Sequence, residues 1–586
     1  MKYDKIAPGL TNALEDYKRE GVRGLLSHER RMGLIVTEDT PKPPRVIVLI
    51  DCDETAQLDH LAAHGIRVNQ PKGQIRTGFL PLEKLDILSE EAAIRRIIPS
   101  HPLMLRMDVG RSKVHLPPPS QSPWTGKNVI IGIIDTGIDP KHPAFEGRIL
   151  RIWDQIISGP GVAEGDYGIE LTGPLLEVSR DTNGHGTHVA GIASGNDEKY
   201  LGIAPEAEFV IVKSDLQTGH IIDGLYYIFR VAEELGRPAV INLSLGGHAD
   251  PHDGSDPLSI AIDTLSGKGR IVCCAAGNEG NDNIHAQATV SEGETCTVRF
   301  HVPSSMHSPL HEPIRTMVLN GWYSGTDQVE VAIQSPQGFT TPFQGPITNG
   351  LPRREYDLPE GFIRIVTPGP DLENGDHNIW IEIYSPSNAP ESITSGNWHL
   401  LLRGLSIQNG RVDIWTLDDS YSDDVIFTDS NMQDSMKIGS PGAAHRAITV
   451  ASYTTKVQWT DSSGEIRRAF AENLDQISSF SSEGPLRNGV EKPDVAAPGA
   501  YIISALSKDS SINPAFKVDD HHRVMAGTSM ATPFISGVIA LLLEKDSTMD
   551  PEEVKAWLKK DSSIPGYRSE GFHPKWGYGL IDLNNL

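Results

Sequence analysis

The side chains best suited to chemistry lie in three short segments. Asp135 ends the apolar segment NVIIGIID, His185 lies between two glycines in DTNGHGTHVAG, and Ser529 lies at the start of TSMATPFISGVIALLLEKD. A carboxylate, an imidazole and a hydroxyl together can activate an oxygen nucleophile, because the imidazole takes the proton and the carboxylate orients the imidazole. The hypothesis is therefore nucleophilic catalysis by Ser529.

Each of these residues also has a simpler interpretation when it is taken alone. Asp135 could cap a turn, His185 could be a satisfied structural histidine, and Ser529 could be a helix N-cap. His185 and His188 could also form a metal pair, but their spacing lacks the carboxylate of an HExxH motif. The combination of the three segments, rather than any one of them, favours catalysis.

The elements around these residues predict where they lie. NVIIGIID, FVIVKS, AVINLSLGG and RIVCCAAGN are nearly continuous apolar runs, which is typical of strands buried on both faces of a parallel sheet. Helical patterns alternate with them, so we expect a doubly wound α/β domain. Asp135 then lies at the carboxyl end of a strand, where such sheets place their sites.

The motifs DTGID, GHGTHVAG and GTSMATP resemble the three active-site signatures of the subtilisin-like serine protease family (S8), in the family's chain order. The resemblance implies a serine endopeptidase that hydrolyses peptide bonds through an acyl-enzyme. It makes Ser529 the nucleophile and His185 the general base and acid. Asp135 orients and stabilises the imidazole.

Two further segments extend the resemblance. AAGNEG resembles the family's oxyanion motif, which makes Asn278 a donor beside the Ser529 N–H; alone it would indicate a turn after a strand. NLSLGG resembles the strand that pairs with substrate and walls the P1 pocket, and it contributes Ser244, Leu245, Gly246 and Gly247. Glu279 falls where the family has a pocket-rim residue, so the resemblance implies a preference for basic P1 side chains.

The segments PAFEGRILRIWDQ, YGIELT and HADPHDGSDPLS, with the all-β insertion after AAGNEG, resemble the clostridial Csp-type germination proteases. This resemblance implies a retained prodomain, an inserted jelly roll and one specific cut in a partner zymogen rather than bulk degradation. Some Csp relatives are pseudoproteases. The alternative hypothesis is therefore a catalytically silent regulatory or binding protein.

The domain organisation follows from changes of pattern. Residues 1–107 read strand–helix–strand–strand–helix–strand after a helical extension, which predicts a ferredoxin-like module. A Pro-rich linker spans 108–127, the catalytic domain 128–290 and 421–586, and a β-sandwich 291–420. The resemblance makes the first module a self-cleaved, inhibitory prodomain whose last strand lies in the cleft, with cleavage near Met107. A permanently attached dimerisation or docking domain is the alternative.

No cofactor is expected. Ala144 takes the place of the calcium-ligating aspartate of the family, and the loop GNDEKYLG is short, so the high-affinity calcium site is not expected. Asp250, Asp253 and Asp256, or Asp418 and Asp419, could hold a weaker calcium ion, with solvated loops as the alternative.

Composition narrows the partners and the compartment. A net charge of −25 opposes nucleic acid and anionic membranes, which leaves a protein or peptide substrate and the chain's own prodomain. Four cysteines are too few for a disulfide framework and indicate a reducing compartment. With no apolar core of a signal peptide and no membrane span, the sequence predicts a cytoplasmic protein, which is compatible with spore packaging or release.

Overall fold

The structure is a computed structural model. It describes residues 1–25, 28, 34–35, 43–100, 104–105, 114–116, 122–197, 199–304, 315–385, 393–418, 425–566, 571–584 and 586. The chain forms two compact units. The first contains residues 1–101, 248–251 and 282–435, and the second contains 102–247, 252–281 and 436–586.

The second unit is built on a sheet of ten described strands. Neighbouring strands are parallel except at the two edges, where the last pair is antiparallel. From one edge to the other the strands are Ser562–Ser563, Leu580–Ile581, Val495–Ala500, Ile448–Thr454, Arg270–Ala275, Ala239–Leu243, Ile130–Asp135, Glu208–Lys213, Ile149–Asp154 and Ile169–Leu171. The central strands are buried on both faces, as their apolar runs predict.

Helices cover this sheet and complete the α/β fold. The described α-helices of the unit are His185–Ser194, Thr218–Glu234, Pro257–Leu265, Thr528–Lys545 and Pro551–Lys560. Shorter described elements are the strand pairs Gln458–Thr460 with Ile466–Arg468 and Ile502–Ala505 with His522–Met525, and the 3₁₀ helices Pro143–Phe145, Gly173–Val178 and Pro514–Phe516. The sequence prediction of an α/β fold is confirmed.

The first unit begins with an antiparallel sheet and the α-helices Pro8–Glu20 and Leu85–Glu90. The sheet order is Ile94–Pro99, Arg45–Cys52, Ile75–Pro81 and Arg67–Val68, and Leu34–Ile35 pairs with the start of the second of these. The 3₁₀ helices are Tyr3–Lys5, Gly21–Leu25, Asp59–His64 and Leu82–Lys84.

One predicted helix of this segment is wrong. DETAQLDHLAAHG forms only the short 3₁₀ helix Asp59–His64. The guanidinium of Arg76, whose side chain is buried, donates to the carbonyl oxygens of Asp53, Glu54 and Ala56. Those carbonyls would otherwise accept the first bonds of an α-helix, so the arginine replaces that helix turn.

The described remainder of the first unit forms β-sheets. Two antiparallel sheets share one hydrophobic core, to which strands of both sheets contribute. One has the order His285–Thr289, Arg411–Asp418, Thr316–Tyr323, His377–Tyr384, Gly361–Val366 and Arg353–Leu358; the other has Gln328–Gln334, Gly396–Ser406, Thr295–Val302 and Ile426–Phe427. The strand His285–Thr289 precedes the predicted start of this region at residue 291.

A buried ionic network joins the N-terminal helix to the β-strands within this unit. Asp16 is 1% exposed and accepts from His28 Nε2 at 2.8 Å, from Arg353 at 3.4 Å and from Arg364. Arg353 also donates to the Asn12 carbonyl at 3.0 Å. Asp16 thus compensates two buried guanidinium groups together with a glutamate of the strand that carries Arg353, and such charges are costly to leave uncompensated.

We expect Asp16→Asn to lower the free energy of unfolding by about 3–5 kcal/mol, because removing this carboxylate leaves the buried guanidinium charges incompletely compensated. The matched control is Glu20→Gln on the same helix, whose carboxylate pairs with Arg19 at the surface and which should change stability by less than about 0.5 kcal/mol. The measurement is the urea midpoint in a Ser529→Ala background, which prevents self-digestion. Equal effects of the two substitutions would contradict the network's importance.

Candidate active site

Asp135 and His185 form a buried, directly bonded pair. Asp135 is the last residue of its strand, and His185 is the first residue of the helix His185–Ser194. Nδ1 of His185 lies 2.7 Å from Oδ1 and 2.8 Å from Oδ2 of Asp135, and both residues are at most 2% exposed. The carboxylate fixes the proton on Nδ1, which makes Nε2 the nitrogen that can accept a proton.

The backbone before this helix is shaped by glycine. Gly184, the N-cap, has φ of 88°, a conformation that favours glycine. A Cβ at Gly186 would lie 2.1 Å from the carbonyl oxygen of Gly137. The two glycines around His185 therefore allow the helix to start directly against the end of the Asp135 strand.

Asp181 organises this helix start, and sequence reasoning missed it. Its Oδ1 accepts from Gly184 N at 2.8 Å and from Thr136 Oγ1 at 2.9 Å. Its Oδ2 accepts from the N–H and hydroxyl of Thr187 at 2.9 and 2.6 Å. Since Thr136 also donates to Asp135, Asp181 ties the His185 helix to the Asp135 strand. Its position in DTNGHGTH, four residues before His185, is the signal that could have identified it.

Ser529 lies in the first turn of the helix Thr528–Lys545 and exchanges hydrogen bonds with Ser244. Its hydroxyl donates to the Ser244 carbonyl at 3.1 Å, and the Ser244 hydroxyl donates to the Ser529 carbonyl at 2.7 Å. The second bond depends on Pro533, because proline has no N–H to donate to the carbonyl four residues earlier. The proline in GTSMATP thus has a specific consequence: it allows the Ser529 carbonyl to accept from the Ser244 hydroxyl.

Asn278 is held beside Ser529 by its neighbour Thr528. Its Oδ1 accepts from the backbone N–H of Thr528 at 2.7 Å and from the Thr528 hydroxyl at 3.2 Å. Because the oxygen end of the amide is bonded, the Nδ2 end is the one that can donate to a developing oxyanion.

The predicted substrate strand forms an antiparallel pair with a segment from upstream in the chain. Leu245 is paired with Leu105 and Gly246 with Met104, and Gly247 N donates to the Ser440 carbonyl at 3.0 Å. The predicted cleavage position near Met107 lies outside the described residues.

Glu279 has its carboxylate turned towards backbone and hydroxyl donors. Its Oε2 accepts from Asn278 N at 2.7 Å and from Ser482 Oγ at 2.9 Å. These bonds stabilise the loop that carries Asn278. A preference for basic P1 residues through Glu279 stays a prediction.

In the loop where the family has its calcium site, the carboxylates accept hydrogen bonds from groups of the protein. Oδ1 of Asp197 accepts from the N–H groups of Lys199 and Tyr200, and His522 Nε2 lies 3.5 Å from its Oδ2. His522 Nδ1 lies 2.7 Å from Asp519, which also accepts from Lys199 at 3.1 Å. Cationic and N–H donors around these carboxylates do not fit calcium, which needs several free oxygen ligands.

The acidic residues proposed as a weaker ion site are also engaged. Asp253 accepts from Arg487 at 2.6 Å, and Asp256 caps the helix Pro257–Leu265 and accepts from Ser440. Asp418 and Asp419 offer nothing further, since the side chain of Asp418 and all of Asp419 lie outside the described residues. Across the described ranges, no group of three histidine, cysteine or acidic side chains is arranged to hold a metal ion.

An acid–imidazole pair at a strand end and a serine at a helix start, with an amide donor beside it, define the class of the protein. The profile of the subtilase family matches residues 126–308 and 393–579. The chain belongs to this family and is a subtilisin-like serine endopeptidase.

Individual relatives agree with this assignment. The chain is 24% identical over 491 residues to the serine protease AprX of Bacillus subtilis, covering 81% of this chain and 70% of the relative. It is 35% identical over 164 residues to the major intracellular serine protease of the same bacterium, covering 27% and 44%. The CspB protease of Clostridium perfringens has a structure similar to 78% of this chain and 94% of its own, with a TM-score of 0.63 and 25% identity.

Helices long and apolar enough to cross a bilayer are absent from the described ranges. All four cysteines are free thiols, and Cys52, Cys273 and Cys274 are buried.

We expect Asp181→Ala to lower kcat by roughly 10- to 100-fold with little change in KM, because losing the helix-start bonds displaces His185 and not the substrate strand. Asp181→Asn should recover part of this loss, since one carboxamide oxygen can still accept. Steady-state kinetics on a peptide substrate test this. A rise in KM without a fall in kcat would show that Asp181 acts elsewhere.

The carboxylate of Asp519 makes a pH-dependent contribution to the stability of the folded protein. Partial burial raises its pKa, but the His521 N–H, His522 and Lys199 outweigh burial and lower the pKa to about 2. An unfolded aspartate titrates near pH 3.9, so the stabilisation is present above about pH 4 and is lost as the pH falls towards 2. We expect Asp519→Asn to be less stable than wild type at about pH 6, with the difference vanishing at low pH. Urea midpoints across this range measure it, with substitution of an exposed aspartate elsewhere, Asp357→Asn, as control. A pH-independent difference for Asp519→Asn would contradict the assignment.

Proposed function

We propose that Ser529, His185 and Asp135 act as the catalytic triad of this endopeptidase. Ser529 Oγ attacks the scissile carbonyl while His185 Nε2 takes its proton, and the proton then passes to the leaving amine as the acyl-enzyme forms. Water repeats the sequence to release the acid. The observation that carries the proposal is the double contact of His185 Nδ1 with the Asp135 carboxylate.

The negative oxygen of the tetrahedral intermediate is stabilised by Asn278 Nδ2 and the Ser529 N–H. The bonds from Thr528 to the amide oxygen of Asn278 support this role, because they orient the donor before substrate arrives. A preorganised donor of this kind contributes about 3–4 kcal/mol to the transition state.

Substrate binds as an added strand on Ser244–Gly247. The pairing of Leu105 with Leu245 supports this, since a peptide from the chain itself already occupies that edge as a strand. Gly247, bonded to Ser440, continues the edge into the wall of the P1 pocket.

The enzyme is made as a self-processing zymogen. The residues before the proposed cut near Met107 form an inhibitory, ferredoxin-like prodomain, and the strand order of residues 45–99 supports this architecture. Its terminal segment Met104–Leu105 lies where a product would remain after cleavage. The two antiparallel sheets with one core support a jelly roll for the insertion.

The physiological reaction is a limited cut in a protein partner inside a reducing compartment. The inserted β region supports a selective enzyme, since it adds surface without adding catalytic groups, and the four free thiols support the compartment. Comparing cleavage of casein with candidate zymogens separates limited from bulk proteolysis.

Labelling with a fluorophosphonate probe tests the proposed function. We expect wild type to be labelled and to carry a new N-terminus near residue 107, whereas Ser529→Ala shows neither, because both reactions need the same hydroxyl. The readouts are an in-gel label and N-terminal sequencing.

A cleaved but unlabelled wild type would support an inhibitory prodomain that still occupies the cleft. If wild type were not cleaved, and stayed unlabelled even after its prodomain was removed, the regulatory pseudoprotease would replace this proposal.

A further inference from the structure

One loop of the described first unit continues the proposed substrate strand. Residues 248–251 follow Gly247 directly in the chain, but they belong to the first unit, which contains the inserted β region. Ala249 packs against the cluster of Val318, Val366 and Trp380. Side chains that fix the conformation of residues 248–251 therefore also influence the conformation of the strand that precedes them.

The strand Thr316–Tyr323 is buried on both faces, which is unusual for the outer sheet of a two-sheet core. Met317, Leu319 and Tyr323 face the shared core. The alternate residues Val318, Asn320 and Trp322 face the other side, and Asn320 is 1% exposed. A buried amide on this face needs partners.

Asn320 uses its full hydrogen-bonding capacity there. Its Nδ2 donates to the carbonyl oxygens of His248 at 3.0 Å and Asp250 at 2.8 Å. Its Oδ1 accepts from Trp322 Nε1 at 2.8 Å and from Asn378 Nδ2 at 3.1 Å. The opposite orientation would set Oδ1 against two carbonyl oxygens, so the network admits one arrangement of the amide.

We propose that Asn320 is a positioning residue for substrate: through its two bonds to residues 248–251 it fixes the conformation of the strand Ser244–Gly247. The inserted β region then takes part in substrate binding although its residues lie far from Ser529 in sequence. The proposal rests on the proposed function of that strand.

Asn320→Asp is the sharpest variant. The carboxylate keeps the shape and still accepts from Trp322 and Asn378, but it cannot donate and repels the two loop carbonyls. Asn409→Asp is the matched control, because Asn409 is an exposed amide of the same unit that only accepts, from Arg411 N.

The first readout does not depend on activity. In a Ser529→Ala background, amide hydrogen exchange of residues 244–251 should become roughly tenfold faster in Asn320→Asp and stay unchanged in Asn409→Asp. Unchanged exchange in Asn320→Asp would overturn the proposal, even if the triad assignment holds.

The second readout separates positioning from general damage. For a peptide that spans several residues before the cut, Asn320→Asp should raise KM roughly tenfold with kcat nearly unchanged, while a single-residue ester is affected far less. Equal effects on both substrates would show that Asn320 is only structural. A wild type that is not cleaved, and that stays unlabelled after removal of its prodomain, would instead overturn the proposed function.

A second variant covers the case in which Asn320→Asp does not fold. Trp322→Phe keeps the aromatic packing and both Asn320 donors but removes one bond that orients the amide. It should give the same pattern at smaller size, roughly a two- to threefold rise in KM for the long peptide only. No change in that variant would overturn the proposal.

Discussion

The buried carboxylate of Asp135 is the constraint on which the catalytic unit depends. A charge with no solvent needs partners, and it takes them from the next residue and from His185. Thr136 passes the connection to Asp181, and Asp181 holds the start of the helix that carries His185. The strand end, the glycine-rich turn and the helix together thus provide the hydrogen bonds that stabilise one buried negative charge.

Serine chemistry is organised by a different means, the reciprocal bonds of Ser529 and Ser244. Pro533 removes a helix donor and the Ser244 hydroxyl replaces it, so the proposed nucleophile is hydrogen-bonded to the strand that would bind substrate. Asn242 donates to the Ser244 hydroxyl and extends the connection into the central sheet. The proposed nucleophile and the proposed substrate strand are therefore fixed relative to each other by hydrogen bonds within the protein.

Much of the α/β fold and of the candidate site could be predicted from the sequence, because buried parallel strands and the three motifs have strong local patterns. The strands of the α/β unit and the α-helix that carries Ser529 form as expected. The rest depends on groups distant in sequence. The helix predicted over DETAQLDHLAAHG is replaced by the hydrogen bonds of Arg76. The strand Thr316–Tyr323 lacks the alternation typical of a strand, because both of its faces are buried. Asp181 lies close to His185 in sequence, but its role and that of Asn320 depend on backbone and side-chain partners that only the fold identifies.

The place of the β insertion in the chain has a consequence for the order of assembly. Asp135 and His185 precede it, Ser529 follows it, and the neighbouring strands Arg270–Ala275 and Ile448–Thr454 are separated by it. During synthesis the central sheet cannot be completed until the whole insertion has left the ribosome, and a folded insertion shortens the loop that must close. The emerging chain therefore carries Asp135 and His185 without the proposed nucleophile until the whole insertion has been synthesised.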